Sequence, residues 1–168
     1  MSVSIAPYRY EPSDRATFYR LLVQELDAYL QDERDWLVNL SNASALIYQR
    51  LPELNWSGFY LLRGEGLVLG PFQGKPACTR IALGRGVCGT TAASRLTTVV
   101  PDVHAFPGHI ACDSASESEV VVPMLLGDRL LGVLDLDSPR KGRFTGEDAA
   151  GLEAFAARLV SGIDWPSW

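Results

Sequence analysis

The chain has 168 residues, 47% hydrophobic and 21% charged, the length and composition of one globular domain able to bury roughly two thirds of its unfolded surface. Its formal charge of -5 comes from interspersed acidic and basic residues with no lysine- or arginine-rich run to neutralise successive phosphates, so nucleic acid is not an expected partner. No apolar stretch approaches the roughly 20 residues that cross a bilayer, and the opening MSVSIAPYRYEPSD lacks the basic-then-apolar order of an export signal; no membrane association is expected, and a soluble cytoplasmic protein is the simplest reading.

From Ser13 to about Gln31 the residues Phe18, Leu22, Leu26 and Tyr29 recur at helical spacing, and Trp36, Leu40, Ala43 and Ile47 repeat the pattern, which predicts two amphipathic helices over 13–51. After Pro52 the texture turns to β, with LNWSGFYLL, EGLVLGPFQG and CTRIAL punctuated by Gly64 and the Gly84/Gly86 pair. GVCGTTAASR reads as a short helix of small residues and LTTVV as a short strand. A loop from Pro101 to Ser114 follows, holding both histidines and Cys112; a loop this long in a small domain is a functional or mobile segment. EVVVPMLL and LLGVLDLDS then flank Gly127-Asp128 as a β-hairpin. A third amphipathic helix, over 145–163, opens on Thr145 as N-cap with Glu147 and Asp148 in its first turn. The expected architecture is a single α+β domain over 1–168, with an antiparallel sheet and site loops in 54–144, the terminal helices stacked on one face and the other face free to hold a ligand. The two tryptophans of the DWPSW tail either pack back or enter a dimer contact.

Alternation along a strand puts Val133, Asp135 and Asp137 on one side of GVLDLDS and Leu134 and Leu136 on the other. A carboxylate-bearing face of this kind is either a solvated sheet face or the floor of a site. In NWSGFY the same rule groups Trp56, Gly58 and Tyr60, where Gly58 leaves a gap between two rings that serves either as pocket wall or as core packing. The three cysteines, Cys78, Cys88 and Cys112, are an odd number and do not form the even framework of a disulfide-stapled secreted domain, so reduced thiols are expected unless they are redox-active. Cys88 falls where a glycine-rich turn becomes a helix, a position at which the helix dipole lowers a thiol's pKa. Cys112 lies in HIACDSASESE among three carboxylates, which work against forming its thiolate. His104, His109 and Cys112 match no compact zinc spacing and no CxxC occurs, so no metal site is expected there.

Taken together, GPFQGKPACTRIALGRGVCGT, DVHAFPGHIACDSASESEVVVP and LLGVLDLDSPRKGRFTGED resemble the free methionine-(R)-sulfoxide reductases, small enzymes of the GAF fold. The likeness runs from about Asn55 to the last helix, includes all three cysteines, and is weak in the opening helices and the tail. It implies Cys112 as nucleophile, Cys78 as resolving cysteine and Cys88 as an alternative or auxiliary partner. It further implies that Trp56 and Tyr60 cradle the substrate's methyl end while Glu119, Asp135 and Asp137 form an acidic group. Thioredoxin or another dithiol is the implied external reductant, in keeping with a role under oxidative stress, and a homodimer through the terminal helices follows by analogy. Glu117 adds a carboxylate to the loop that would oppose the substrate's own carboxylate if it faced inward.

That chemistry explains the carboxylates. A thiolate attacking a sulfoxide sulfur makes the oxygen basic, and a carboxyl held protonated by like-charged neighbours can deliver the proton. The remaining charge can bind the α-ammonium of a free amino acid. No bound metal, flavin or nicotinamide is needed, and the disulfide that closes the cycle requires the two Cα atoms within roughly 7 Å, which implies loop movement. One expectation is in tension with this. A plain two-residue turn at Gly127-Asp128 would set Val120 opposite Asp135 and turn Glu119 to the far face, so either the hairpin carries a bulge or Glu119 precedes regular pairing. The alternatives are a non-catalytic GAF sensory module binding a small ligand and signalling to an output domain, for which the chain is short, and a structural or redox-sensing domain whose cysteines never turn over.

Overall fold

The computed structural model describes residues 7–168, and none of its helices is long and apolar enough to cross a membrane. Helix α1 (Arg15–Leu30) starts from Asp14, whose carboxylate accepts the Thr17 amide at 3.2 Å; α2 (Trp36–Arg50) starts from Asp35, which accepts the amides of Leu37 and Val38. The buried stripe of α1 ends on Leu30, and Tyr29, counted into it by spacing, is exposed. Helix α4 (Gly146–Ser161) opens with the expected capping box, Thr145 and Asp148 each capping the other's backbone. Asp148 also accepts hydrogen bonds from the Tyr10 and Tyr19 hydroxyls at 2.9 Å and faces the buried Arg143, fastening α4 to α1.

Six strands form one antiparallel sheet: β1 (Trp56–Arg63), β2 (Gly66–Gly74), β3 (Arg80–Ala82), β4 (Thr98–Val100), β5 (Ser118–Leu126) and β6 (Arg129–Ser138), ordered β3-β2-β1-β6-β5-β4. The two edge strands are three residues each, which leaves little unpaired backbone to recruit another chain. Phe59, Leu61, Val120, Val122, Leu134 and Leu136 point to α1, α2 and α4. Trp56, Tyr60, Val121 and Val133 point the other way, toward α3 (Gly86–Ser94), which contributes Val87, Cys88 and Ala92.

The tension in the β5–β6 hairpin is resolved by a bulge. Leu126 pairs with Arg129 and Leu125 with Leu130, Leu131 is left over, and Met124 pairs with Gly132. From there Val121 faces Asp135 and Glu119 faces Asp137. Gly132 is required: its φ is +155°, and a Cβ there would lie 2.1 Å from the Tyr60 carbonyl oxygen. At the C-terminus both tryptophans pack back on their own chain, Trp165 donating to the Val160 carbonyl at 2.9 Å and Trp168 meeting Trp36 edge to face under the Arg63 guanidinium.

Candidate active site

The site grows from three neighbouring strands. Asp137 on β6 has Glu119 of β5 on one side and Trp56 of β1 on the other, while Asp135 has Val121 and Gly58 as partners. Glu119, Asp135 and Asp137 therefore face one side of the sheet, and α3 brings the Cys88 thiol to within 4.0 Å of Glu119 Oε1. Glu119 and Asp135 are each only 5% exposed, so the solvated-face reading of the GVLDLDS alternation does not hold. Burial pushes all three carboxyls well above the ordinary carboxylate range, and their mutual repulsion adds to it. Such a group titrates as a unit and keeps protons at a pH where isolated carboxyls have lost them.

Cys88 corrects the expectation drawn from its helix position. Its thiol is pushed up, not down, first by burial and then by Asp135 and Glu119. A helix N-terminus contributes about 0.3–1 kcal/mol at an exposed site, which does not offset removing a thiolate from water beside two acids.

Cys78 and Cys112 are joined in a disulfide, with Cα atoms 5.8 Å apart, so the bonded geometry needs no further loop movement. Both segments are tethered to β1 or the residue before it. The Tyr60 hydroxyl donates to the Cys78 carbonyl at 2.9 Å and the Trp56 indole to the Lys75 carbonyl at 3.1 Å. On the other side the Asn55 side-chain amide donates to Asp113 at 3.1 Å and Ser116 at 3.0 Å. Cys112 is exposed, Cys78 half-buried and Cys88 buried, so an external dithiol reaches the bonded pair more easily than the free thiol.

The carboxylates of HIACDSASESE have three separate destinations. Asp113 is held below the ordinary carboxylate range, chiefly by the Ala115 amide it accepts at 2.9 Å and then by Asn55. Glu117 pairs with His104 at 3.4 Å and does not line the pocket, which removes the conflict it posed. Glu119 alone enters the buried group, where His109 Nε2 lies 3.4 Å from its Oε2 and burial lowers the His109 pKa. His104, His109 and Cys112 do not come together as a metal set, since His104 turns to Glu117 and Cys112 is disulfide-bonded.

Gly58 leaves no gap. A Cβ at that position would lie 2.3 Å from the Phe72 Cβ, so the glycine lets β2 approach and Phe72 stack on Trp56 at 5.2 Å, while Tyr60 stacks on Trp56 at 5.8 Å. The result is a braced aromatic wall. The cavity it borders is about 40 Å³, and of the residues that the resemblance assigns to the site all but Cys78 line it. Asn55, Ser116 and Phe72 were not foreseen, and His109 only as a rival metal ligand. Ser116 and Asp113 were within reach, because the DSAS run is an Asx-turn signal; Asn55 and Phe72 carry none.

The GAF domain family model matches residues 14–163. The free methionine-R-sulfoxide reductase of Escherichia coli (strain K12) is 51% identical over 146 residues, 87% of this chain and 88% of that protein. Among solved structures, the free methionine-R-sulfoxide reductase of Neisseria meningitidis in complex with its substrate superposes with a TM-score of 0.87 at 42% identity, over 94% of each chain. The reduced form of fRMsr from Staphylococcus aureus does so at 0.84 and 47%, over 87% of this chain and 95% of that one. With a buried acidic floor, a disulfide beside it and relatives of this kind over nearly the whole length, the chain belongs to the GAF-domain family and, within it, to the free methionine-R-sulfoxide reductases.

Proposed function

We propose that this protein reduces free methionine (R)-sulfoxide through Cys112. The Cys112 thiolate attacks the sulfoxide sulfur, a carboxyl of the Glu119, Asp135 and Asp137 group protonates the departing oxygen, and methionine leaves as Cys112 becomes a sulfenic acid. The Cys78 thiol condenses with it, forming the disulfide and releasing water. A dithiol, thioredoxin in this reading, then restores both thiols by exchange. Each turnover thus consumes two electrons and two protons from the dithiol and returns methionine and water. Trp56 and Tyr60 take the methyl end, and the ionised remainder of the acidic group takes the α-ammonium, which a residue inside a peptide lacks. Cys88, buried with a raised pKa, is an auxiliary thiol in this scheme. No bound cofactor enters it, a reducing compartment such as the cytoplasm suits it, and assembly as a homodimer through α1 and α4 is part of the same reading.

The observation that carries the proposal is the Cys78–Cys112 bond beside a cavity whose floor is a set of carboxyls that burial pushes above the ordinary carboxylate range. The deciding experiment follows stereospecific consumption of free methionine sulfoxide with a dithiol. Wild type should consume the R form alone, Cys112→Ser should be inactive, and Cys78→Ser should complete one turnover and then fail to recycle through thioredoxin. Turnover in Cys112→Ser would refute the nucleophile, and a wild type inert to the sulfoxide would leave the non-catalytic readings, a sensory module or a structural or redox-sensing domain.

A further inference from the structure

We propose that Cys88, Glu119 and Asp135 form a binding site for a thiophilic divalent cation, Zn2+ fitting best, and that its occupation closes the pocket to substrate. The Cys88 sulfur and one carboxylate oxygen from each acid lie within 4.8 Å of one another, and all three residues are buried. Ligands sharing a zinc ion with bonds of about 2.0–2.3 Å stand about 3.3–3.8 Å apart, so side-chain adjustments of an ångström or so bring these atoms onto one ion. A second observation points to a missing ligand: Asp135 is 5% exposed, yet its Oδ1 has no hydrogen-bond partner among the described residues. In the protonated group a hydrogen bond shared with Glu119 serves Asp135, whereas in the ionised group its oxygens face a thiol and another carboxylate and a cation satisfies them, so proton and cation compete for the same place.

The donor chemistry selects the ion. One sulfur and two oxygens suit Zn2+ or Co2+, whereas Mg2+ and Ca2+ want oxygen alone and more of it. A fourth position is open to water in the adjoining cavity of about 40 Å³, which holds a water or so beside the ion. His109, 3.4 Å from the other oxygen of Glu119, is the nearest additional donor. An ion is far smaller than an amino-acid sulfoxide, so it can enter while the Cys78–Cys112 bond is closed. Binding involves no redox change: the S–H bond of Cys88 breaks, a metal–sulfur bond forms, and the displaced thiol and carboxyl protons pass to solvent. The second grouping of this kind, Asp102, His104 and Glu117, is open to solvent and already holds Lys141 at 2.9 Å from Asp102. Inhibition by the ion rests on the function proposed above, because it would occupy carboxyls assigned there to substrate; binding of the ion does not.

In the disulfide form Cys88 is the one free thiol of the chain, so a thiolate-to-cobalt charge-transfer band can come from no other residue. Titrating the oxidised full chain with Co2+ should raise that band at one equivalent, Zn2+ should abolish it by displacement, and excess Mg2+ should not. Cys88→Ser should lose the band, and Glu119→Gln and Asp135→Asn should each weaken Co2+ binding by about tenfold or more. Absence of the band in folded wild type overturns the site whether or not Cys88→Ser folds, as does binding left unchanged in both carboxyl variants. In turnover assays driven by the thioredoxin system, Zn2+ should raise KM for the sulfoxide. Inhibition without binding to the oxidised form would overturn the proposal in favour of Cys112 as the zinc ligand. A protein that binds Co2+ through Cys88 but does not reduce the sulfoxide would keep the site and discard the enzymatic reading.

Discussion

Leu134 and Asp135 are neighbours on β6 and belong to different proteins in all but the chemical bond between them. Leu134 and Leu136 sit on the helix-covered face among apolar neighbours from α1, α2 and α4, where every contact favours the folded state. Asp135 and Asp137 sit on the opposite face with Glu119 and Cys88, where burial opposes ionisation of each group and the groups oppose one another. One face supplies stability; the other, in the mechanism proposed above, gives some of it up to hold a proton where a sulfoxide oxygen would develop negative charge. The two faces should therefore respond to substitution in opposite ways.

The sharpest break between them is Asp135→Asn. An amide keeps the shape of the protonated acid but cannot give up its proton, so with Asp135 as the donating member of the group sulfoxide reduction should fall by about 10²–10⁴-fold, the range of a general acid. The fold should not suffer. A carboxyl whose folded pKa lies above its unfolded value binds protons more tightly in the folded state, so its contribution is complete in acid, below the unfolded value, and is lost as pH rises through the raised one. Wild type should thus lose melting temperature as pH rises above the ordinary carboxylate range, and Asp135→Asn should flatten that slope; a steeper slope in the variant would contradict the assignment. Activity should decline over the same rise in pH as the donor loses its proton.

On the other face, Leu134→Ala should cost about 2–5 kcal/mol in denaturant melts, while kcat per folded molecule stays near wild type. A comparable loss of kcat would mean that the faces are not separable. Gly132→Ala tests the joint between them: a Cβ meeting the Tyr60 carbonyl should destabilise by about 1–3 kcal/mol, and any shift of the bulge would turn Glu119 from the pocket, so activity should fall further than stability alone explains. The smallest effect belongs to Thr145→Ala, about 1 kcal/mol from the lost N-cap of α4, with no change in kcat or KM.

Much of this contrast was legible in strand alternation. The period of two in GVLDLDS separates Leu134 and Leu136 from Asp135 and Asp137, and the geometry of a two-residue turn left two ways for Glu119 to join them, a bulge or a place before regular pairing, of which the structure has the bulge. Legibility ended where a side chain's surroundings come from distant chain. The Cys88 environment depends on α3 meeting β5 and β6, so a local helix-dipole argument gave the wrong direction for its pKa. Gly58 reads as a gap until β2 is known to lie against it, and Tyr29 reads as core until α1 is packed and Leu30 takes its place. Asn55 had no signal because its importance comes from reaching Asp113 and Ser116 across some sixty residues of chain.

The amino-acid order by itself determined the helices, the strands and which residues share a side of each strand, because these follow from backbone periodicity and turn geometry over a few residues. Only the tertiary structure decided which of those sides is dry, which acids are pushed above the ordinary carboxylate range, and that Cys78 and Cys112 stand close enough to bond while Cys88 lies among carboxyls. Burial and Coulomb energies depend on everything within several ångströms in space, and that neighbourhood is assembled from segments far apart along the chain.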